Sequence, residues 1–181
     1  MTDIYQERYR AHQKRKREVL MGLLEERHSE RVFADEDVPA EALADVLHAA
    51  ERAPSSCARR GVSTRVVTER DDKALLGGLL VGGVGWVHRA PVVMLLMGDL
   101  VAYKAGDEVL FMPFLDAGCM VGQIYLAATA AGLSCCFINP NIRDHNRPHF
   151  AAVFGDGIFC GALALGLPRN DGPPAWVLDT S

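Results

Sequence analysis

The sequence predicts an α+β fold, mixed strands packed by long helices, and three stretches carry that prediction. Residues 3–27 contain one glycine, Gly22, no proline, and many Glu, Arg, Lys, Gln and Leu, all good helix formers. Pro91 to Met97 reads PVVMLLM, the unbroken apolar run of a strand buried on both faces. Residues 113–131 are Ala-rich and apolar nearly all round, which predicts a long helix buried on most sides.

The remaining elements follow in order. Val19, Leu20, Leu23 and Leu24 give the end of the first helix an apolar stripe. Its first half, with Ile4, Tyr5 and Tyr9, buries little by itself, and an arm packed on a partner subunit is one use for it. Pro39 opens a second helix, with Leu43, Val46, Leu47 and Ala50 on one face, and Ala53-Pro54-Ser55-Ser56 ends it. Residues 62–68 (VSTRVVT) are β-branched and predict a strand. Residues 71–81 read as a helix weakened by Gly77 and Gly78. Gly132 stops the Ala-rich helix, Ser134 to Ile138 is a short strand, and residues 144–154 form a helix interrupted near Pro148. Ile158 to Leu165 is a last buried strand. The organisation expected is a helical arm over 1–26, one domain over 27–168 and an irregular tail over 169–181.

Composition narrows the function. At 181 residues, 49% hydrophobic and 23% charged, the chain suits one globular domain with a sizeable core. A net charge of −4 argues against a general nucleic-acid binder. The basic run Lys14-Arg15-Lys16-Arg17 reads as a solvated helix face, with a nucleic-acid or partner-binding arm as the sharper alternative. Five cysteines without a Cys-x-x-Cys pair argue against a disulfide framework or a thiolate zinc site. The N-terminus shows no apolar signal region and no apolar run is long enough to span a membrane, so a cytoplasmic protein is expected.

Several motifs fail on inspection. Gly82-Gly83-Val84-Gly85 matches neither phosphate-loop pattern, and there is no Gly-x-Ser-x-Gly elbow. His145 and His149 share helical spacing but lack a third ligand, and Cys135-Cys136 reads as strand packing.

Two segments stand out together. Arg27-His28-Ser29-Glu30-Arg31-Val32-Phe33 gathers three potential cations and a hydroxyl, a set suited to phosphate. Alone it could equally be a charged helix end. Ala53-Pro54-Ser55-Ser56 is by itself only a turn. In this order the two resemble the nitroreductase family of FMN-dependent oxidoreductases. That family's Arg-Arg/His-Ser-x-Arg/Lys-x-Phe matches residues 27–33, and its Ala-x-x-Ala-Pro-Ser matches Ala50 to Ser55. Its Trp before Ala-Pro and a buried strand matches Trp86, Ala90 and Pro91, and its Asp opening the buried helix matches Asp116. Its Leu-x-Ala-x-x-x-Gly-Leu matches Leu126 to Leu133, and its Ala-Leu-Gly-x-Pro matches Ala164 to Pro168. The resemblance covers roughly residues 20–168.

The resemblance implies a mixed central sheet flanked by helices, and a homodimer with two FMN sites at its interface. It implies that Arg27, His28, Ser29 and Arg31 hold the phosphate and ribityl chain, and that Pro54, Ser55 and Ser56 run beside the isoalloxazine. The loop Phe137 to Asn139 is implied on the ring's other side. NAD(P)H is the implied electron donor, and nitroaromatics or quinones the acceptors. The flavin carries the chemistry, so no catalytic acid or base is assigned.

The chain also departs from the pattern. The family continues Pro-Ser-x-x-Asn-x-Gln-Pro-Trp, and its Asn and Gln bond to the ring. Here Ala58 stands for the Asn, Arg60 for the Gln and Gly61-Val62 for Pro-Trp. The basic pair usual near the C-terminus is missing, with Arg169 the one basic group nearby. Arg59 and Arg60 add positive charge near the ring edge. These changes make a degenerate member, binding flavin or a small ligand without redox turnover, the alternative.

Overall fold

The computed structural model describes residues 2–103 and 109–169. Its elements are α1 (Thr2–Glu26), α2 (Ala40–Glu51), β1 (Val62–Val67), α3 (Arg70–Leu79), β2 (Val92–Gly98), α4 (Met112–Ala130), β3 (Ser134–Ile138), α5 (Arg147–Phe154) and β4 (Ile158–Gly166). The strands form one sheet in the order β1-β2-β4-β3, so the two most apolar segments take its centre. The fold is the α+β class expected. All three strand pairs are antiparallel. The parallel component of a mixed sheet is confined to one bridge, between Ser29 and Cys135.

Alternation along the central strands divides the core into two layers. Met94, Leu96, Leu163 and Leu165 face a cluster with Val46 of α2 and Ala117, Met120 and Ile124 of α4. Val93, Leu95, Ala162 and Ala164 face the opposite cluster, with Leu76 of α3 and Phe150 and Phe154 of α5. Both faces of the sheet are covered, which is why β2 reads as a continuous apolar run rather than an alternation.

Three expectations are revised. Pro148 lies in the first turn of α5, where a missing N–H costs nothing, so it opens that helix and does not interrupt it. The expected burial of α4 on most sides is half right. One side packs on the sheet and α2, while Phe111 just before it and Phe114, Leu115, Gly118, Cys119 and Gly122 on it are exposed. Apolar composition reports that a face needs cover, and no described residue of the chain covers this one. The same holds for α1, whose Ile4, Tyr5, Tyr9, Val19, Leu20 and Leu24 are exposed, with only Leu23 half-buried among the apolar residues of its stripe. The basic run is exposed on α1 as well, and Lys14 lies 3.7 Å from Glu18 one turn on.

The register of β2 and β4 shifts between Leu96 and Met97, leaving Cys160 as an extra residue on β4. Gly161 beside it takes φ 126°, and a Cβ there would sit 2.6 Å from the Phe137 ring and 2.9 Å from the Ile138 carbonyl oxygen. A bulge of this kind needs glycine for both the backbone angle and the space. Gly161→Ala is therefore expected to lower unfolding free energy by about 2–5 kcal/mol, the sum of backbone strain and overpacking, as read from urea denaturation midpoints.

Candidate functional site

The chain leaving α1 folds back onto the sheet, and this places Arg27 to Phe33. Glu30 N–H donates to the Cys135 carbonyl at 3.0 Å, and Ala34 N–H donates to the Leu167 carbonyl at 3.0 Å. Ser29 Oγ is 2.9 Å from Tyr125 Oη, and Phe137 N–H donates to the same tyrosyl oxygen at 2.8 Å. Either hydroxyl can donate in the Ser29–Tyr125 pair. Tyr125 therefore ties the Ser29 segment, α4 and β3 together, and its burial pushes its pKa up, keeping it protonated.

Two arginines flank that serine in the chain. Arg27 lies 5.3 Å from the centre of the Tyr125 ring, and Arg31 lies 5.6 Å from the centre of the Trp86 ring. Neither makes an ion pair with a carboxylate among the described residues. Glu30, between the two arginines in sequence, spends an oxygen on the Arg31 and Val32 N–H groups at 2.7 and 3.0 Å. Rings that hold guanidinia by their faces leave the planar N–H forks available for an anion. His28 is placed differently. Its Nδ1 is 3.1 Å from the Glu26 carbonyl and its Nε2 is 4.0 Å from Glu30, so the exposed imidazole engages its own turn. Asn139 joins this group from the loop after β3. Its Oδ1 accepts from Asn141 N–H at 3.3 Å, and it faces Gly82, whose carbonyl accepts from Trp86 Nε1 at 2.9 Å. The glycine cluster thus supports Trp86 and the Asn139 loop.

Pro54, Ser55 and Ser56 belong to a second group, built on Asp116. The buried Asp116 carboxylate accepts at Oδ1 from Ser56 N–H (2.9 Å) and Ser56 Oγ (2.8 Å), and at Oδ2 from Tyr103 Oη (2.8 Å). Ser55 Oγ accepts from Arg60 N–H at 2.9 Å. Cys57, Ala58 and Arg60 all take φ between 51° and 54°, the left-handed region. Three non-glycine residues there cost about 1–3 kcal/mol each, a strain that neighbouring bonds such as Ser56 to Asp116 and Arg60 N–H to Ser55 Oγ must offset. Gly61 lies against the Tyr103 ring, where an added Cβ would force the ring to shift. Glycine at 61 thus leaves room for the tyrosine that caps Asp116. A cavity of about 510 Å³ opens beside this turn, lined by Ala50, Glu51, Pro54, Ser55, Arg60, Ser63, Thr64, Asp116 and Met120 among others.

Sequence reasoning found neither Tyr125 nor Tyr103, because each acts through a partner far along the chain. Asp116 was visible only as a motif match. Asp116 and Tyr125 are nine positions apart on α4. At about 1.5 Å and 100° per residue that is roughly 13 Å of rise and two and a half turns, so their side chains leave opposite sides of the helix.

Comparison with known proteins identifies the family. The model of the nitroreductase family matches residues 24–84 and 78–155. The chain belongs to the nitroreductase family. It is 30% identical over 130 residues to the FMN reductase [NAD(P)H] of Bacillus subtilis, covering 64% of this chain and 51% of that one. It therefore spans about half the length of that relative. A Desulfovibrio desulfuricans protein described as a nitroreductase, solved in complex with FMN, superposes with a TM-score of 0.69 at 27% identity, covering 90% of this chain and 95% of the other. An FMN-dependent nitroreductase from Clostridium difficile superposes with a TM-score of 0.71 at 24% identity, covering 88% and 94%.

Burial raises the pKa of Tyr103, helped by its bond to Asp116, and it raises those of Cys135 and Cys160, the latter to about 11. Groups whose folded pKa is raised stabilise the fold fully below their ordinary values, and that stability is lost as pH rises through the folded values. Unfolding free energy is thus expected to decline as pH climbs past the ordinary thiol value of 9.0 and phenol value of 10.0. In Tyr103→Phe the decline above 10.0 should be shallower, measured by urea titration across that range. Asp116→Ala orphans three donors and is expected to cost about 3 kcal/mol at neutral pH.

Proposed function

We propose that this chain is an FMN-dependent oxidoreductase that takes electrons from NAD(P)H and reduces a nitroaromatic, quinone or similar acceptor, acting as a cytoplasmic homodimer. The observation that carries the reading is the pair of guanidinia lying over aromatic rings, Arg27 and Arg31, two positions either side of Ser29 in the chain. Cations without carboxylate partners beside a hydroxyl donor fit a phosphate monoester, which offers two negative charges and three acceptor oxygens. In this reading Arg27, Ser29 and Arg31 bind the FMN phosphate and ribityl chain, with His28 at the rim. Asn139 and the Pro54–Ser56 turn border the ring. Bound FMN supplies the electron transfer itself, and the protein contributes binding, orientation and the exclusion of water. Strained turn residues held by Asp116 are suited to that work, because they offer a ring edge a fixed backbone.

The homodimer is supported by the geometry of α4. Since Asp116 and Tyr125 leave opposite sides of that helix, one protomer's phosphate group and its own ring-side turn face different directions. A complete site needs the turn of a second copy. Phe111, Leu115, Gly118 and Gly122 recur at helical spacing on the exposed side of α4, and an added Cβ at either glycine meets nothing within 4 Å. That surface suits close approach by the same helix of a partner. The arm over 1–26 has its own uncovered apolar residues to lay on the neighbour, and the domain over 27–168 carries the site. The tail expected over 169–181 lies, beyond Arg169, outside the described residues.

A second reading, flavin or ligand binding without turnover, is favoured by one observation. Ala58 offers no polar side chain where the family's Asn bonds to the ring. Reduction of bound flavin by NADH or NADPH separates the two.

The purified protein is expected to be yellow, with the visible absorbance of flavin. Colourless protein that takes up no added FMN overturns the reading. Arg31→Ala should weaken FMN binding roughly 10- to 100-fold, the worth of a charge-assisted phosphate contact, as measured by fluorescence quenching. Gly118→Leu has room in the protomer, so it should fold, sediment as a monomer and lose FMN together with the dimer.

A further inference from the structure

Among the described residues, Arg60 is the one cation lining the cavity beside the Pro54–Ser56 turn. Its neighbour Arg59 is turned away, with a guanidinium nitrogen 3.4 Å from the Ala102 carbonyl oxygen. Arg60 makes no ion pair with a carboxylate among the described residues. Asp116 reaches the same cavity, but both its oxygens are engaged by Ser56 and Tyr103. Glu51, at the end of α2, is the other charged lining residue, and it is not within ion-pair distance of Arg60. Among the described lining residues the cavity therefore carries one cation, Arg60, and two carboxylates, Glu51 and Asp116, none of them in an ion pair.

The backbone is built to hold the positive one there. Arg60 sits in the left-handed region, its N–H fixed on Ser55 Oγ, and Gly61 behind it is pinned between the Tyr103 ring and the bond from Asp99 N–H to the Gly61 carbonyl at 2.8 Å. A strained conformation locked from both sides fixes where the side chain starts.

We propose that Arg60 sets the redox poise of this site, favouring the reduced state of a flavin ring bordering the cavity, and that Glu51 opposes it. The inference rests on the FMN reading above. Two-electron reduction by a nicotinamide transfers one hydride: the nicotinamide is oxidised to its cation, and the ring gains two electrons and one proton. The ring thus acquires one net negative charge. A guanidinium beside the ring stabilises that charge by direct attraction, and a carboxylate destabilises it. The family's neutral Gln at this position lacks that effect, so the departure at residue 60 has a stated consequence.

The test is the midpoint potential of FMN bound to the full-length protein, by equilibration with a reference dye. Affinity for oxidised FMN is measured alongside. Arg60→Gln should weaken binding of reduced FMN about tenfold relative to oxidised FMN, a lowering of about 30 mV for a two-electron couple. Arg60→Lys keeps the charge and should stay near the wild-type potential. Glu51→Gln should raise the potential. A value for Arg60→Gln equal to or above wild type overturns the proposal, as does one for Arg60→Lys as low as for Arg60→Gln. Wild-type protein that binds no FMN overturns the flavin reading as well, whereas FMN bound at an unchanged potential in Arg60→Gln overturns the role of Arg60 alone.

Discussion

The two and a half turns between Asp116 and Tyr125 on α4 are the constraint around which the molecule is organised. Each residue is a polar anchor on an apolar helix. Tyr125 gathers Ser29 and the end of β3, while Asp116 gathers the Ser56 turn and Tyr103. Because the anchors are on opposite sides, the helix holds the two groups apart. Moving either anchor by a single position would swing its group by about 100° around the axis and dissolve the arrangement. The apolar residues between them, Ala117, Met120 and Ile124, hold the helix in register with the sheet. Core packing and site geometry are in this sense a single property of α4.

The fold was largely legible, for reasons that can be named. PVVMLLM has no reading except a strand covered on both faces, and it forms the central β2. Pro39 and the Ala53-Pro54 pair bracket α2 within a residue or two because proline acts on local backbone angles. Pro148 misled because the same local rule permits two outcomes, breaking a helix or beginning one, and only the preceding turn decides. The uncovered side of α4 was not legible, since composition counts apolar residues without saying which chain buries them.

The site was legible as a list of residues and not as an arrangement. Arg27, Ser29 and Arg31 lie within five positions, so their grouping needed no tertiary information. Their supports, Tyr125 and Trp86, come from across the fold. The left-handed run at Cys57, Ala58 and Arg60 leaves no trace in a one-dimensional reading, because none of the three is a glycine. A chain that accepts such angles without glycine does so only where tertiary bonds outweigh the local preference.

The contact between Gly61 and the Tyr103 ring couples two positions that are far apart in sequence. A proline at 61 would push the ring at 103 aside, and with it the hydroxyl that closes off Asp116, so a change at the one position is felt at the other.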